Sequence, residues 1–300
     1  MPRIVTTAGE FHAIRRQLAR MEEDGLEVVR VPLDPLDTLA ERVAAEVDER
    51  TAAAFVSSVL FESARIVPNL RAIQPACDRV GAVFLVDAYH QLNVVPMSLA
   101  ADGLERAFVT GGGYKYCQLG EGCGFLRVPA GWEHLRPSVT GWFAEFGAVL
   151  DAASTRGASA HATGVPYAPG PARFAGATYD PSSHYRAAEV FRFFREMGLT
   201  PTLLREVSQH QIGLLVECFD TLDLDPAVIG RDRSTPLERI GGFLALRTPH
   251  ASALNRALKE RGVYTDYRGD ILRLGPAPYL SDRQVRDGIA ALDEAVRMLA

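Results

Sequence analysis

Short apolar runs alternate with helix-period segments through the first half of the chain, and this alternation restricts the fold more than any other feature. Ile4–Thr7, Leu26–Val31 (LEVVRV), Ala52–Val59 and Ala82–Val86 read as strands. Between them, Phe11–Asp24 carries Ile14, Leu18 and Met21 at helical spacing and stops at Gly25. Leu36–Arg50 repeats the pattern with Leu36, Leu39, Val43 and Val47, and Pro68–Arg79 reads as a third helix. Strands joined through helices pair in parallel, in sheets covered on both faces. Ligands in such sheets gather at the carboxyl ends of the strands. Asp87 follows the fourth apolar run and is therefore expected at that edge.

Further on, Ala107–Thr110 leads into a glycine run, and Gly124–Val128 (GFLRV) reads as a return strand. Residues 148–171 are rich in Ala, Ser, Gly and Pro without a period and read as a long loop of the functional or mobile kind. Helices are expected at Ser182–Glu196, from Pro201 to about Thr221, at Ala251–Arg261 and at Ser281–Leu299. Gly242–Arg247 and Ile271–Leu274 read as strands among them. The expectation is an α/β chain: a large domain with a mostly parallel sheet over 1–180, and a smaller α+β domain over 181–300 closing on it.

Composition narrows the partners. The 300 residues are 47% hydrophobic and 23% charged, with a net charge of −5, values of an ordinary globular protein. That charge argues against nucleic acid or an anionic membrane. No run has the length to span a bilayer, and Met1–Thr7 lacks the order of a signal peptide, so the cytoplasm is the expected location. Cys77, Cys117, Cys123 and Cys218 show no CxxC spacing and no pairing with histidines. Neither a metal nor a disulfide framework is expected, and each reads as a buried structural thiol.

The chemistry lies in two short segments. Lys115 sits in Gly111-Gly112-Gly113-Tyr114-Lys115-Tyr116, 28 residues after Asp87 in Asp87-Ala88-Tyr89-His90. This is the arrangement of an enzyme that holds pyridoxal phosphate as a Schiff base. The lysine amine bonds the cofactor, and the aspartate keeps the pyridine nitrogen protonated so that the ring withdraws electrons. Such a lysine must be partly desolvated for a useful fraction to be neutral. Glycines before it let backbone approach a ligand closely, and His90 could lie against the ring or its 3′ oxygen. Taken singly, each has a plainer reading: Asp87 as a turn residue or cap, the glycine run as a surface turn, His90 as a structural histidine.

In order along the chain, these and other segments resemble the kynureninase branch of the class V, fold-type I pyridoxal-phosphate enzymes. Glu10-Phe11-His12-Ala13 is similar to a strand-end motif whose aromatic residue stacks on the pyridine ring, which implies that role for Phe11. Asp87-Ala88-Tyr89-His90 resembles the pyridine-nitrogen motif, and Tyr114-Lys115-Tyr116 the segment around the cofactor lysine, whose first tyrosine contacts the phosphate. Leu135-Arg136-Pro137 with Gly141-Trp142-Phe143 implies a phosphate contact for Trp142. Arg173-Phe174 followed by Thr178 implies that Thr178 contributes across a dimer interface. Arg273 to Tyr279 resembles the segment whose arginine holds the substrate α-carboxylate, a role suited to a bidentate guanidinium; a surface salt bridge is the plainer alternative for Arg273. Ala177, Glu145 and Tyr89 depart from the family pattern at positions tied to substrate recognition. Family members also carry a segment before the first of these motifs, which supplies a phosphate loop at a helix N-terminus and part of the substrate-ring pocket. Residues 1–10 hold no counterpart. The phosphate ligands are then expected from a longer chain or a second chain, unless the cofactor binds weakly.

The resemblance implies a homodimeric enzyme acting on a small amino-acid substrate. In kynureninase-like chemistry water adds to a side-chain ketone and the Cβ–Cγ bond breaks, giving an acid and alanine. A class V aminotransferase or another lyase is the alternative, and a non-catalytic remnant or partner subunit is the alternative of another class. Cysteine desulfurase is disfavoured, because no cysteine lies in the 148–171 loop or after Cys218.

Overall fold

The computed structural model describes residues 2–149 and 164–299. The first half builds the expected sheet. Its strands are β1 (Arg3–Thr7), β2 (Glu27–Val31), β3 (Thr51–Ser57), β4 (Val83–Asp87), β5 (Phe108–Gly112) and β6 (Gly124–Arg127), in the order β2-β1-β3-β4-β5-β6. The first five run parallel, and β6 returns antiparallel beside β5. Helices α1 (His12–Glu23), α2 (Leu39–Ala45) and α3 (Gln74–Val80) make the crossovers. Leu39 and Val43 of α2 and Cys77 of α3 pack with Val5, Val56, Phe84 and Val86. Leu18 of α1 joins Ile4 and Ala53 in a second cluster.

Two helices are shorter than their apolar spacing predicts. The segment 36–50 forms a 3-10 turn at Leu36–Thr38 and then α2, which ends at Ala45. The Asp48 side chain accepts from the Arg50 N–H at 3.0 Å and the Thr51 hydroxyl at 2.9 Å, closing a turn that competes with further helix. The segment 68–79 breaks into a 3-10 turn at Leu70–Ala72 and then α3. Pro75 cannot donate the bond to residue 71 that one continuous helix needs.

The second half carries α4 (Phe146–Val149), α5 (Ser182–Glu196), α6 (Pro201–Asp220), α7 (Ala251–Glu260) and α8 (Asp282–Arg297). Its antiparallel sheet contains β7 (Gly230–Arg231), β8 (Leu244–Arg247), β9 (Asp266–Arg268) and β10 (Ile271–Leu274), in the order β7-β8-β10-β9. β7 and β9 have no apolar pattern to announce them. Leu246, Leu272, Leu254, Leu258 and Leu292 form the core between this sheet and α7 and α8. Residues 150–163 of the expected long loop lie outside the described residues. Its far end holds a 3-10 turn at Gly170–Phe174.

The connection after β3 and the connection before β8 are stitched together. Ile66 N–H donates to the Arg239 carbonyl at 2.9 Å, and Gly241 N–H to the Ala64 carbonyl at 2.7 Å. Ala64, Ile212, Ile240 and Phe243 pack as one cluster at this seam. Of the thiols expected to be buried, Cys77 is, with its pKa pushed up to about 12 by burial; Cys117, Cys123 and Cys218 are only partly buried. Among the described residues no helix is long and apolar enough to cross a membrane.

Candidate active site

Strand register places Asp87 between two hydroxyl residues. Asp87 ends β4, with Ser57 opposite it on β3 and Thr110 on β5. All three line one cavity of about 250 Å³, whose walls also carry Phe11, Phe61, Tyr89, His90, Tyr114 and Lys115. Five of the eight candidate residues from the sequence, namely Phe11, Asp87, His90, Tyr114 and Lys115, thus meet at the carboxyl ends of parallel strands.

The glycines before Lys115 are part of the sheet. Gly111 and Gly112 end β5. A Cβ on Gly111 would fall 2.5 Å from Phe125 Cζ, and one on Gly112 would fall 2.8 Å from Tyr114 Cε1. Here the missing side chains admit aromatic rings against the backbone, as close packing requires. The chain then turns at Gly113, whose N–H donates to the Cys123 carbonyl at 2.7 Å, and Lys115 emerges over the cavity.

Lys115 Nζ lies 2.7 Å from His90 Nε2 and 5.8 Å from the ring centres of Phe11 and Tyr114. Burial, and next the positive charge of Arg273, lower its pKa to about 8. His90 is buried, and burial with the charges of Lys115 and Arg273 brings it down to about 3, so it stands neutral beside the amine. Among the described residues its Nδ1 has no hydrogen-bond partner, although it is buried. Burial raises Asp87, while the Tyr89 N–H, donating to Oδ1 at 2.9 Å, and the charge of Lys115 pull it back.

Arg273 sits behind this wall. It is 8% exposed, donates from Nη1 to the Phe61 carbonyl at 2.6 Å and pairs through Nη2 with Asp266. Its guanidinium lies 5.1 Å from the Phe243 ring centre. Trp142 and Thr178 are not on the cavity wall. Trp142 is half-exposed and packs on Phe143 and Phe146 at 4.5 and 5.3 Å. Its turn is tied to the chain just before Thr178, where Phe143 N–H donates to the Gly176 carbonyl at 3.1 Å. Thr178 itself is exposed. Ser57, Thr110, Phe61 and Asp266 escaped the sequence reading, because register and long-range pairing alone bring them here.

Pyridoxal phosphate fits this donor set. A lysine with lowered proton affinity, a buried carboxyl group, an aromatic wall and an orphaned imidazole nitrogen converge on one cavity. The Tyr114 hydroxyl adds a polar group for the cofactor's oxygens, while the Ser57 and Thr110 hydroxyls are engaged by Glu10 and the Phe125 carbonyl.

Comparison with known proteins points the same way. Residues 204–292 match the kynureninase C-terminal domain. The chain is 25% identical over 255 residues to a kynureninase from Geobacillus thermodenitrificans, covering 82% of this chain and 55% of that protein. It therefore spans little more than half the length of that curated relative. Among solved structures it resembles the apo cysteine desulfurase from Thermococcus onnurineus NA1, with a TM-score of 0.78 and 17% identity over 99% of this chain and 73% of that one. A mutant of C-DES with glycine covalently linked to the PLP cofactor gives the same TM-score and identity, over 98% and 74% of the two chains. The second half thus matches the kynureninase C-terminal domain, and the chain as a whole has the fold of the fold-type I pyridoxal-phosphate enzymes.

Proposed function

We propose that the chain is a pyridoxal-phosphate-dependent enzyme that acts on an amino acid by kynureninase-like hydrolytic Cβ–Cγ cleavage. One observation carries this: the Lys115 amine and the Asp87 carboxyl group line the same small cavity, beside Phe11 and a neutral His90. Bound pyridoxal phosphate supplies an electron sink conjugated to the substrate's α-carbon.

The chain's own groups do the rest. Lys115 Nζ would hold the cofactor and would carry the α-proton, a task suited to an amine whose pKa lies near 8. Asp87 would accept the N–H of the cofactor ring. His90 Nε2 holds the lysine amine, and its Nδ1 is free for a cofactor oxygen. Phe11, Val59, Phe61 and Leu85 make the apolar part of the wall and limit water around the reacting atoms. Arg273, oriented by Asp266 and the Phe61 carbonyl, takes the substrate α-carboxylate. Residues 1–180 then act as the cofactor domain and 181–300 as the small domain. A cytoplasmic homodimer would bring Thr178, and with it Trp142, to the partner's cofactor phosphate.

A desulfurase reading draws on the solved neighbours, but none of the four cysteines lines the Lys115 cavity. The deciding experiment supplies the purified protein with pyridoxal phosphate and, separately, L-kynurenine and L-cysteine. Anthranilate and alanine from L-kynurenine are expected. Sulfide from L-cysteine without cleavage of L-kynurenine would overturn the proposal.

A further inference from the structure

One buried acid has no part in the arrangement above. Glu10 stands between β1 and α1 and is 2% exposed. A carboxyl group withdrawn from water needs polar partners to replace it. Three donors meet it: the Thr7 and Ser57 hydroxyls, each at 2.6 Å, and the Ser57 backbone N–H at 3.1 Å. These partners are neutral. The charged side chain that acts on Glu10 is another acid, Asp87.

The donors set Glu10 astride two strand ends, next to a third. Thr7 ends β1 and Ser57 ends β3. Ser57 is in register with Asp87, and Ser58 donates to the Asp87 carbonyl from its N–H at 2.9 Å and its hydroxyl at 3.1 Å. Glu10 is thereby joined to Asp87 through two consecutive serines. Ser57 and Asp87 both line the Lys115 cavity, as does Phe11, the next residue after Glu10.

Filling a polar hole would not require an acid. A glutamine could accept through its oxygen, and a hydroxyl can turn to accept from its amide. A carboxyl group adds a charge that responds to pH. Burial lifts Glu10 to about 7, against the pull of the Ser57 and Thr7 donors, and the charge of Asp87 adds to the rise. Of the other titratable side chains on the cavity wall, Lys115, Tyr89 and Tyr114 feel the charge of Asp87 and His90 contacts Lys115, and Glu10 takes its hydrogen bonds from Thr7 and Ser57.

We propose that Glu10 is a positioning residue for Asp87: it fixes the end of β3 beside Asp87, and the two carboxyl groups titrate as one coupled pair across Ser57. On the function proposed above, a cationic ring nitrogen at Asp87 also favours ionised Glu10. Cofactor binding is then tied to loss of a proton from Glu10 and tightens as pH rises through neutrality.

Carboxyl-carbon NMR of the full chain without cofactor tests the coupling. Asp87→Asn should move the Glu10 midpoint down, and Ser57→Ala, which removes a donor, should move it up. A Glu10 midpoint unmoved by Asp87→Asn overturns the proposal. Pyridoxal-phosphate Kd is then measured at pH 6 and pH 8.5 for the wild type and Glu10→Gln. The ratio of the two Kd values should change by at least about 3-fold, the effect of ~0.5 pH unit of coupling. A ratio that does not change with pH overturns the link to the cofactor. A wild type that fails to bind pyridoxal phosphate counts against the proposed function, while the NMR midpoints still decide the coupling.

Discussion

The sharpest consequence of the site concerns the proton on Lys115. Burial and Arg273 bring its pKa from the ordinary 10.5 to about 8. At about 1.4 kcal/mol per pH unit, that is ~3 kcal/mol of destabilisation of the ammonium form. At pH 8 about half of the Lys115 amine is neutral, against ~0.3% for a lysine with an unperturbed pKa. A cofactor-free sample labelled with a trace of acetic anhydride across pH 6–11 reads this directly. The protein has only two lysines, so peptide mapping separates Lys115 from the exposed Lys259, which serves as the internal reference. Labelling of Lys115 should rise to a plateau with a midpoint near 8. Arg273→Gln should move that midpoint up, because a neighbouring cation is lost. A Lys115 midpoint at or above 10 would refute the desolvation argument, and with it the claim that the fold prepares this amine for bonding the cofactor.

Other outcomes follow from the same geometry. Asp87→Asn should still allow borohydride to fix pyridoxal phosphate to Lys115 while turnover falls by about 100-fold or more, the scale of losing one key electrostatic partner; near-normal turnover would make Asp87 structural. Arg273→Lys should raise KM for amino-acid substrates far more than it weakens cofactor binding, because an ammonium cannot reproduce a bidentate fork; a change in thermal stability alone would leave Arg273 as a salt-bridge residue. Gly242→Ala places a Cβ 2.5 Å from Tyr116 Cζ, so denaturant melts should show ~1–3 kcal/mol of overpacking cost. Light scattering at micromolar concentration should give twice the mass of one chain, and a mass of one chain would remove the proposed role of Thr178.

The order of elements was legible because periodicity is local. Apolar residues two or three to four apart declare a strand or a helix face without reference to the rest of the chain, and β1 to β4 with α1 follow that reading closely. Asp87 and Lys115 were legible for a related reason: a carboxylate at a strand end and a lysine after glycines have few other uses in combination. Where a short-range competitor intervened, as at Asp48 and Pro75, the apolar spacing overstated the helix. The remaining features belong to tertiary structure. Parallel register alone sets Ser57 and Thr110 on either side of Asp87. Glu10 is in sequence only the first residue of the Glu10-Phe11-His12-Ala13 motif, and only the packing of β1 against β3 makes it a buried group with a raised pKa. The Phe61 carbonyl and Asp266 hold Arg273 from opposite halves of the chain. Proton affinity depends on desolvation and on charges brought near by folding, and neither quantity exists until distant segments meet.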